Sequence, residues 1–107
     1  MITSVALRPD ETLSPLTYEL FQNYPNPFNP ETTIQYSLAV SGRVTIHIYN
    51  ILGQRVRTLV DDVREAGFHK VQWDGKDEGG RNIASGVYVY RVRSGDFVQT
   101  RKLLLLR

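Results

Sequence analysis

The side chains best suited to acid–base work near neutral pH are the two histidines, His47 and His69. Neither stands at a recognised spacing from a carboxylate or a nucleophile, and the chain has no GxSxG elbow, phosphate-cradling glycine loop or HExxH pair. Hydrolytic, phosphoryl-transfer and metalloprotease chemistries therefore have no group to start from. Cysteine is absent, which removes thiol nucleophiles, zinc-thiolate sites and disulfides together. The one acidic constellation is Asp74, Asp77 and Glu78, close enough to share an oxygen-preferring cation. It lacks the alternating ligands and closing bidentate glutamate of a calcium loop, and the same residues read equally as a turn capped by Asp74 and bent by Gly75, Gly79 and Gly80. A sugar platform would need exposed coplanar rings. Tyr49, Tyr88 and Tyr90 are candidates, but strand alternation turns most of them inward. The expectation is a binding or structural module that is not an enzyme and carries no cofactor and no metal.

The elements that would position any such residues are strands. From Gly86 the chain reads GVYVYRVRSGDFVQTRKLLLLR, with Tyr88, Tyr90 and Val92 on one face of an extended chain and Val87, Val89, Arg91 and Arg93 on the other. Ser94-Gly95-Asp96 supplies turn chemistry, so the stretch predicts a closing hairpin. Upstream, residues 32–38 alternate with Ile34, Tyr36 and Leu38 inward, and residues 43–51 alternate with Val44, Ile46 and Ile48 on one face. A shorter, more polar strand is predicted over 54–60, with Val56 facing in, then an acidic-basic connection over 61–66 and another strand over 68–73. Trp73, the single tryptophan, joins Ile34, Tyr36, Val44, Ile46 and Ile48 as the predicted core. Six or seven short strands without a helical period predict an all-β fold, an immunoglobulin-like antiparallel β-sandwich.

All five prolines lie in the first thirty residues and all eight glycines at or after Gly42, which marks a boundary. Residues 1–19 read as a poorly ordered tether from an upstream domain, and 20–107 as the domain itself. Three prolines in six residues, Pro25, Pro27 and Pro30, exclude a helix or an inner strand and give a stiff lead-in, whose Phe21, Tyr24 and Phe28 are predicted to plug one end of the sandwich. PFNP also satisfies the PxxP pattern of a ligand for an aromatic groove, a short and common pattern.

At 107 residues the chain holds one domain able to bury a core unaided. Its formal charge of +2 and scattered arginines argue against nucleic acid, and its longest apolar run, Leu103 to Leu106, is far too short for a transmembrane segment. The first residues lack the basic and apolar regions of a signal peptide, as expected of a cytosolic protein or of a piece of a longer exported chain.

Taken together, FQNYPNPFNPETTIQYSL, VTIHIYNILGQRVRTLV and AGFHKVQWDGKDEGGRNIASGVYVYRVRSGDFVQTRKLLLL resemble the type A C-terminal sorting domain of type IX secretion, the Por secretion tail family. The matching motifs are Asn23-Tyr24-Pro25-Asn26-Pro27-Phe28-Asn29-Pro30, YNILGQ from Tyr49, Trp73-Asp74-Gly75, and Ser85-Gly86-Val87-Tyr88. The resemblance implies a seven-stranded sandwich at the end of a cargo protein, recognised by the type IX translocon and removed by a sortase-like peptidase cutting before Leu20. It implies passage through the periplasm to the cell surface or medium, with the cargo attached to a surface lipopolysaccharide. Gly86, Tyr88, Gly95, Lys102, Leu103, Leu104, Leu105, Leu106 and Arg107 match the sorting-signal positions. The WDG and SGVY motifs are also similar to the immunoglobulin-like part of the flagellar hook-capping protein. On this reading the last strand is read by edge pairing, and loss of Leu103 to Arg107 harms export more than folding. The alternative is a structural or carbohydrate-binding module at the end of a secreted hydrolase.

Overall fold

The computed structural model describes residues 16–107. Seven strands occur among them: β1 (Glu19–Leu20), β2 (Thr32–Leu38), β3 (Gly42–Tyr49), β4 (Arg55–Arg64), β5 (Gly67–Trp73), β6 (Gly86–Ser94) and β7 (Phe97–Leu105). They form two antiparallel sheets, ordered β1-β2-β5 and β4-β3-β6-β7. This is the immunoglobulin-like β-sandwich that the strand periodicity predicts. Inward residues of both sheets supply the core: Ile34, Tyr36 and Leu38 from β2, Val44, Ile46 and Ile48 from β3, Trp73 from β5, Tyr90 and Val92 from β6, and Leu103 and Leu105 from β7 are all buried. Alternation decides this, because a period of two puts one residue in two on the inner face.

The elements depart from the sequence expectation in three places. β3 ends at Tyr49 rather than at residue 51, because the Asn50 side chain takes over the turn: its Oδ1 accepts from the Leu52 and Gln54 N–H groups at 2.9 and 3.0 Å. β4 continues to Arg64, so 61–66 is mostly strand. After two register shifts earlier in the strand, Asp61, Asp62, Val63 and Arg64 keep pairing with β3 in one continuous register, and an outer strand tolerates their charges. Arg43 meets Asp61 at 2.7 Å along that edge. Finally, the lead-in rings do not act as one plug. Phe28 is buried and Phe21 half-buried, but Tyr24 is 79% exposed.

Most of the expected tether, residues 1–15, lies outside the described residues. Its last residues belong to the body: Tyr18 stacks on Phe97 at 5.0 Å, and Glu19 pairs with Ser37.

Candidate functional site

β7 borders its sheet, and its side chains divide by parity. Leu103 and Leu105 are buried, whereas Lys102 and Leu106 are exposed and Leu104 is half-buried on the outer face. The edge of β7 would normally offer unpaired backbone groups. Here the lead-in occupies it. The Phe28 N–H donates to the Leu104 carbonyl and the Leu106 N–H to the Phe28 carbonyl, both at 3.0 Å, a parallel bridge. The Leu104 N–H donates to Asn26 Oδ1 at 2.9 Å, and Gln22 Nε2 donates to the Lys102 carbonyl at 2.7 Å. The lead-in thus crosses between sheets: Leu20 pairs with Tyr36 in one, and Phe28 pairs with β7 in the other. Edge pairing over Lys102 to Leu106, expected from sequence, is already satisfied within the chain.

The proline motif owes this path to its polar residues. A proline has no N–H to leave unpaired, so the buried accounting falls on the asparagines. Asn23 is buried, and its Nδ2 donates to Thr32 Oγ1 at 2.9 Å and to the Pro25 carbonyl at 3.2 Å. The Tyr90 hydroxyl donates to the Phe21 carbonyl at 2.7 Å and accepts the Asn23 N–H at 2.8 Å. Burial pushes this phenol up to about 12, against the opposing Asn23 hydrogen bond and Arg101 charge. Arg101 Nε donates to the Leu20 carbonyl at 2.5 Å, closing the seam between β1 and β7.

The remaining motifs meet at the end of β7. Trp73 packs against Phe28 at 5.5 Å and edge-on to Tyr88 at 6.0 Å. Its Nε1 donates to the Lys76 carbonyl at 3.0 Å, and the Tyr88 hydroxyl donates to the Ala84 carbonyl at 2.7 Å. Burial raises the Tyr88 pKa, with Arg107 opposing. Arg107 anchors the end: its N–H donates to Ser85 Oγ at 2.7 Å, its Nε to the Ile83 carbonyl at 2.6 Å, and its Nη2 to the Gly75 carbonyl. Gly75, at φ +73°, is in the left-handed region, and a Cβ there would lie 2.9 Å from Arg107 Nη2 and 3.2 Å from the Pro30 carbonyl oxygen. A depression of about 260 Å³ lies beside this cluster, lined by Asn50, Ile51, Ser85, Gly86, Val87 and Tyr88.

The three loop carboxylates are spent on protein contacts. Asp74 Oδ1 accepts from the Lys76 N–H and from Arg57 Nη1, both at 3.0 Å. Burial alone would raise its pKa, and these two donors hold it below the usual value instead. Asp77 Oδ1 accepts the Arg81 and Gly79 N–H groups at 2.9 Å, and these bonds with the Arg81 charge depress its pKa against a smaller burial effect. Glu78 Oε1 accepts the Thr58 N–H at 2.8 Å. The loop is held as a turn and laid against β4, and no group of three or more metal-ligating side chains gathers among the described residues.

The histidines lie in different sheets. His69 Nε2 donates to the Glu65 carbonyl at 2.6 Å and its ring stacks on Tyr36, while His47 Nδ1 lies 3.0 Å from Thr58 Oγ1. The sugar platform loses Tyr88 and Tyr90 to the core, and Arg91 covers the half-buried ring of Tyr49 at 5.3 Å. Of the sorting-signal positions, Gly86, Tyr88 and Lys102 to Arg107 come together at one end. Gly95 sits at the opposite end, in the β6–β7 turn. Gln22 and Arg101 had no sequence signal as site residues, and Ser85 and Tyr90 had none for the bonds they make here, because the partners of all four are 22 to 81 residues away.

Residues 29–96 match the sequence profile of the FlgD Ig-like domain. No curated protein matches the chain. Among solved structures, it is similar to dimeric latent PorU from Porphyromonas gingivalis, with a TM-score of 0.67 and 20% identity over 88% of this chain and 10% of that one. It is also similar to PorZ, an essential surface component of the type IX secretion system of the same bacterium, with a TM-score of 0.55 and 20% identity over 84% of this chain and 11% of that one. FlgD from P. aeruginosa matches with a TM-score of 0.56 and 25% identity over 69% of this chain and 58% of that one. The chain therefore spans about a tenth of PorU and PorZ, and the likeness to those two is one of fold.

Proposed function

This chain belongs to the FlgD Ig-like domain family, and from that premise we propose that it is a type A sorting domain, directing a cargo protein through the outer membrane by type IX secretion. The observation that carries this reading concerns what lies outside the family match. The lead-in before residue 29 and the strand after residue 96 are bonded to each other, through Gln22 and Lys102, Asn26 and Leu104, and Phe28 with Leu104 and Leu106. A shared scaffold accounts for residues 29–96. The added pair of segments clamps β7, so that Lys102, Leu104 and Leu106 have one fixed presentation while Leu103 and Leu105 hold the core. The signal is then a row of side chains rather than an open strand edge. Pre-organising that row lowers the cost of ordering it on binding.

On this reading the domain itself performs no catalysis. An upstream cargo domain joins it through the residues that precede this folded body, the translocon reads the closing strand, and a sortase-like peptidase cuts in that tether, leaving the cargo at the cell surface or in the medium. The rival reading, a scaffold module, is favoured by the 25% identity to FlgD from P. aeruginosa. The two separate in one experiment: a reporter fused upstream of residues 1–107, expressed in a bacterium with type IX machinery and in its translocon-deficient counterpart. The sorting reading predicts surface reporter lacking the domain in the first strain and periplasmic, uncut fusion in the second. Equal retention in both overturns it in favour of the scaffold.

A further inference from the structure

Arginine looks scattered in the sequence, but register gathers it. Directly paired residues of adjacent strands share a face, so the outer face of the four-stranded sheet carries three cross-strand rows. Arg55, Tyr49, Val89 and Lys102 form the first, Thr58, His47, Arg91 and Thr100 the second, and Asp61, Thr45, Arg93 and Val98 the third. Strand spacing and residue rise put Arg91 and Arg93 about 7 Å apart and Arg55 about 14 Å from Lys102, measured between backbones. Four cations thus stand in three neighbouring rows on one face of a chain whose net charge is +2.

Four other arginines are neutralised, since Arg43, Arg57, Arg64 and Arg81 each lie within 4 Å of a carboxylate, while Arg101 and Arg107 donate to the carbonyls of Leu20, Ile83 and Gly75. Among the described residues, Arg55, Arg91, Arg93 and Lys102 have no such partner. The one carboxylate of the face, Asp61, is held by Arg43 at 2.7 Å. The field acts on His47, packed between these rows. Burial lowers its pKa first, Arg55, Arg91 and Arg93 lower it further, and Asp61 opposes them. Thr58 on β4 and Tyr49 on its own strand complete its surroundings.

We propose that this face binds an anionic polysaccharide. The cations supply charge complementarity to acidic sugars. Interleaved with them are Thr45, Thr58, Thr100 and His47, neutral groups able to meet sugar hydroxyls. The other polyanions fit less well. Single-stranded nucleic acid needs bare ring faces for its bases, and Arg91 covers Tyr49. A folded protein partner would need an apolar centre with charges at the rim, the reverse of this face. An anionic bilayer favours large apolar side chains inserting among the cations, whereas the exposed apolar residues of this face, Val63, Val87 and Val98, are short and stand at its margins, and exposed Ile51, Leu52 and Leu106 lie beyond the first row, at the end of the sandwich.

The test is titration of the full chain with polygalacturonate and heparin at about 0.15 M salt, beside uncharged dextran, single-stranded DNA and phosphatidylglycerol vesicles. Binding to both acidic polysaccharides is expected, weakening steeply with salt, with none to dextran. The Arg91→Gln/Arg93→Gln variant is expected to lose roughly tenfold per cation. Asp61→Asn is expected to tighten binding, and Lys70→Gln, on the other sheet, to change nothing. Saturating polymer should raise the His47 pKa followed by NMR, an effect that the arginine double variant loses while its thermal unfolding stays unchanged. Failure of both polysaccharides to bind, tighter binding to DNA or vesicles, or undiminished binding by the folded double variant would overturn the proposal.

Discussion

Adjacent leucines at the end of β7 test the division of labour along that strand. Leu105 has no exposed surface, whereas Leu106 is 49% exposed. Truncating a fully buried leucine to alanine removes its burial and leaves a cavity, a cost of about 2–5 kcal/mol. The upper half of that range is expected for Leu105→Ala. Its neighbours include Gly75, which has no side chain to move into the space, and the Arg107 anchor, which limits collapse. Leu106→Ala touches little and should stay within about 0.5 kcal/mol of the parent. With a denaturant slope of about 1.5 kcal/mol per molar urea, the first substitution lowers the unfolding midpoint by roughly 2–3 M and the second by less than about 0.4 M. Trp73, buried between Phe28 and Tyr88, gives the fluorescence signal, and the slope should not change. Equal midpoints for the two variants would refute the alternation on which the account of β7 rests. The same reasoning runs against the expectation that loss of Leu103 to Arg107 harms export more than folding. That deletion removes two buried leucines and the partner of the lead-in, and typical domain stability of about 5–15 kcal/mol leaves little to spare.

Three further outcomes follow from the same contacts. Gly75→Ala should destabilise by about 2 kcal/mol or more in chemical denaturation, since it combines a left-handed backbone with backbone and Arg107 crowding; Gly95→Ala, with open space around it, should cost about half as much. Tyr90→Phe leaves the Phe21 carbonyl and the Asn23 N–H without the hydroxyl they share, so calorimetry should register a loss of about 1–3 kcal/mol. For pH, His47 has a lowered folded pKa, so its contribution is complete above about 6.5 and declines as pH falls below that value; His47→Gln should flatten this part of the stability profile. The depressed Asp74 and Asp77 act in a lower window: their contribution is present above 3.8 and is lost as the pH falls further.

Most of the fold was legible because burial imposes a period of two. The alternation of Ile34, Tyr36 and Leu38, or of Tyr88, Tyr90 and Val92, reports directly which face is inner. Legibility ended where local pattern and long-range pairing part company. The charged run at Asp61 to Arg64 reads as a connection, but an outer strand needs no apolar face to keep pairing. Tyr24 reads as one of three plugging rings, yet the lead-in turns it outward while Asn23 goes in. The occupied edge of β7 and the gathered cations are products of register between strands far apart in sequence, and composition carries no trace of register.

The central claim is that the exposed row of β7 is a signal presented by a clamped strand. The most direct measurement is surface delivery of a reporter fused upstream of residues 1–107, comparing the parent with Lys102→Glu/Leu106→Ser, whose changes fall on exposed side chains. The account predicts that the double variant keeps its thermal unfolding within a few degrees of the parent and is retained in the periplasm. Surface delivery of the folded variant at the parental level would contradict it.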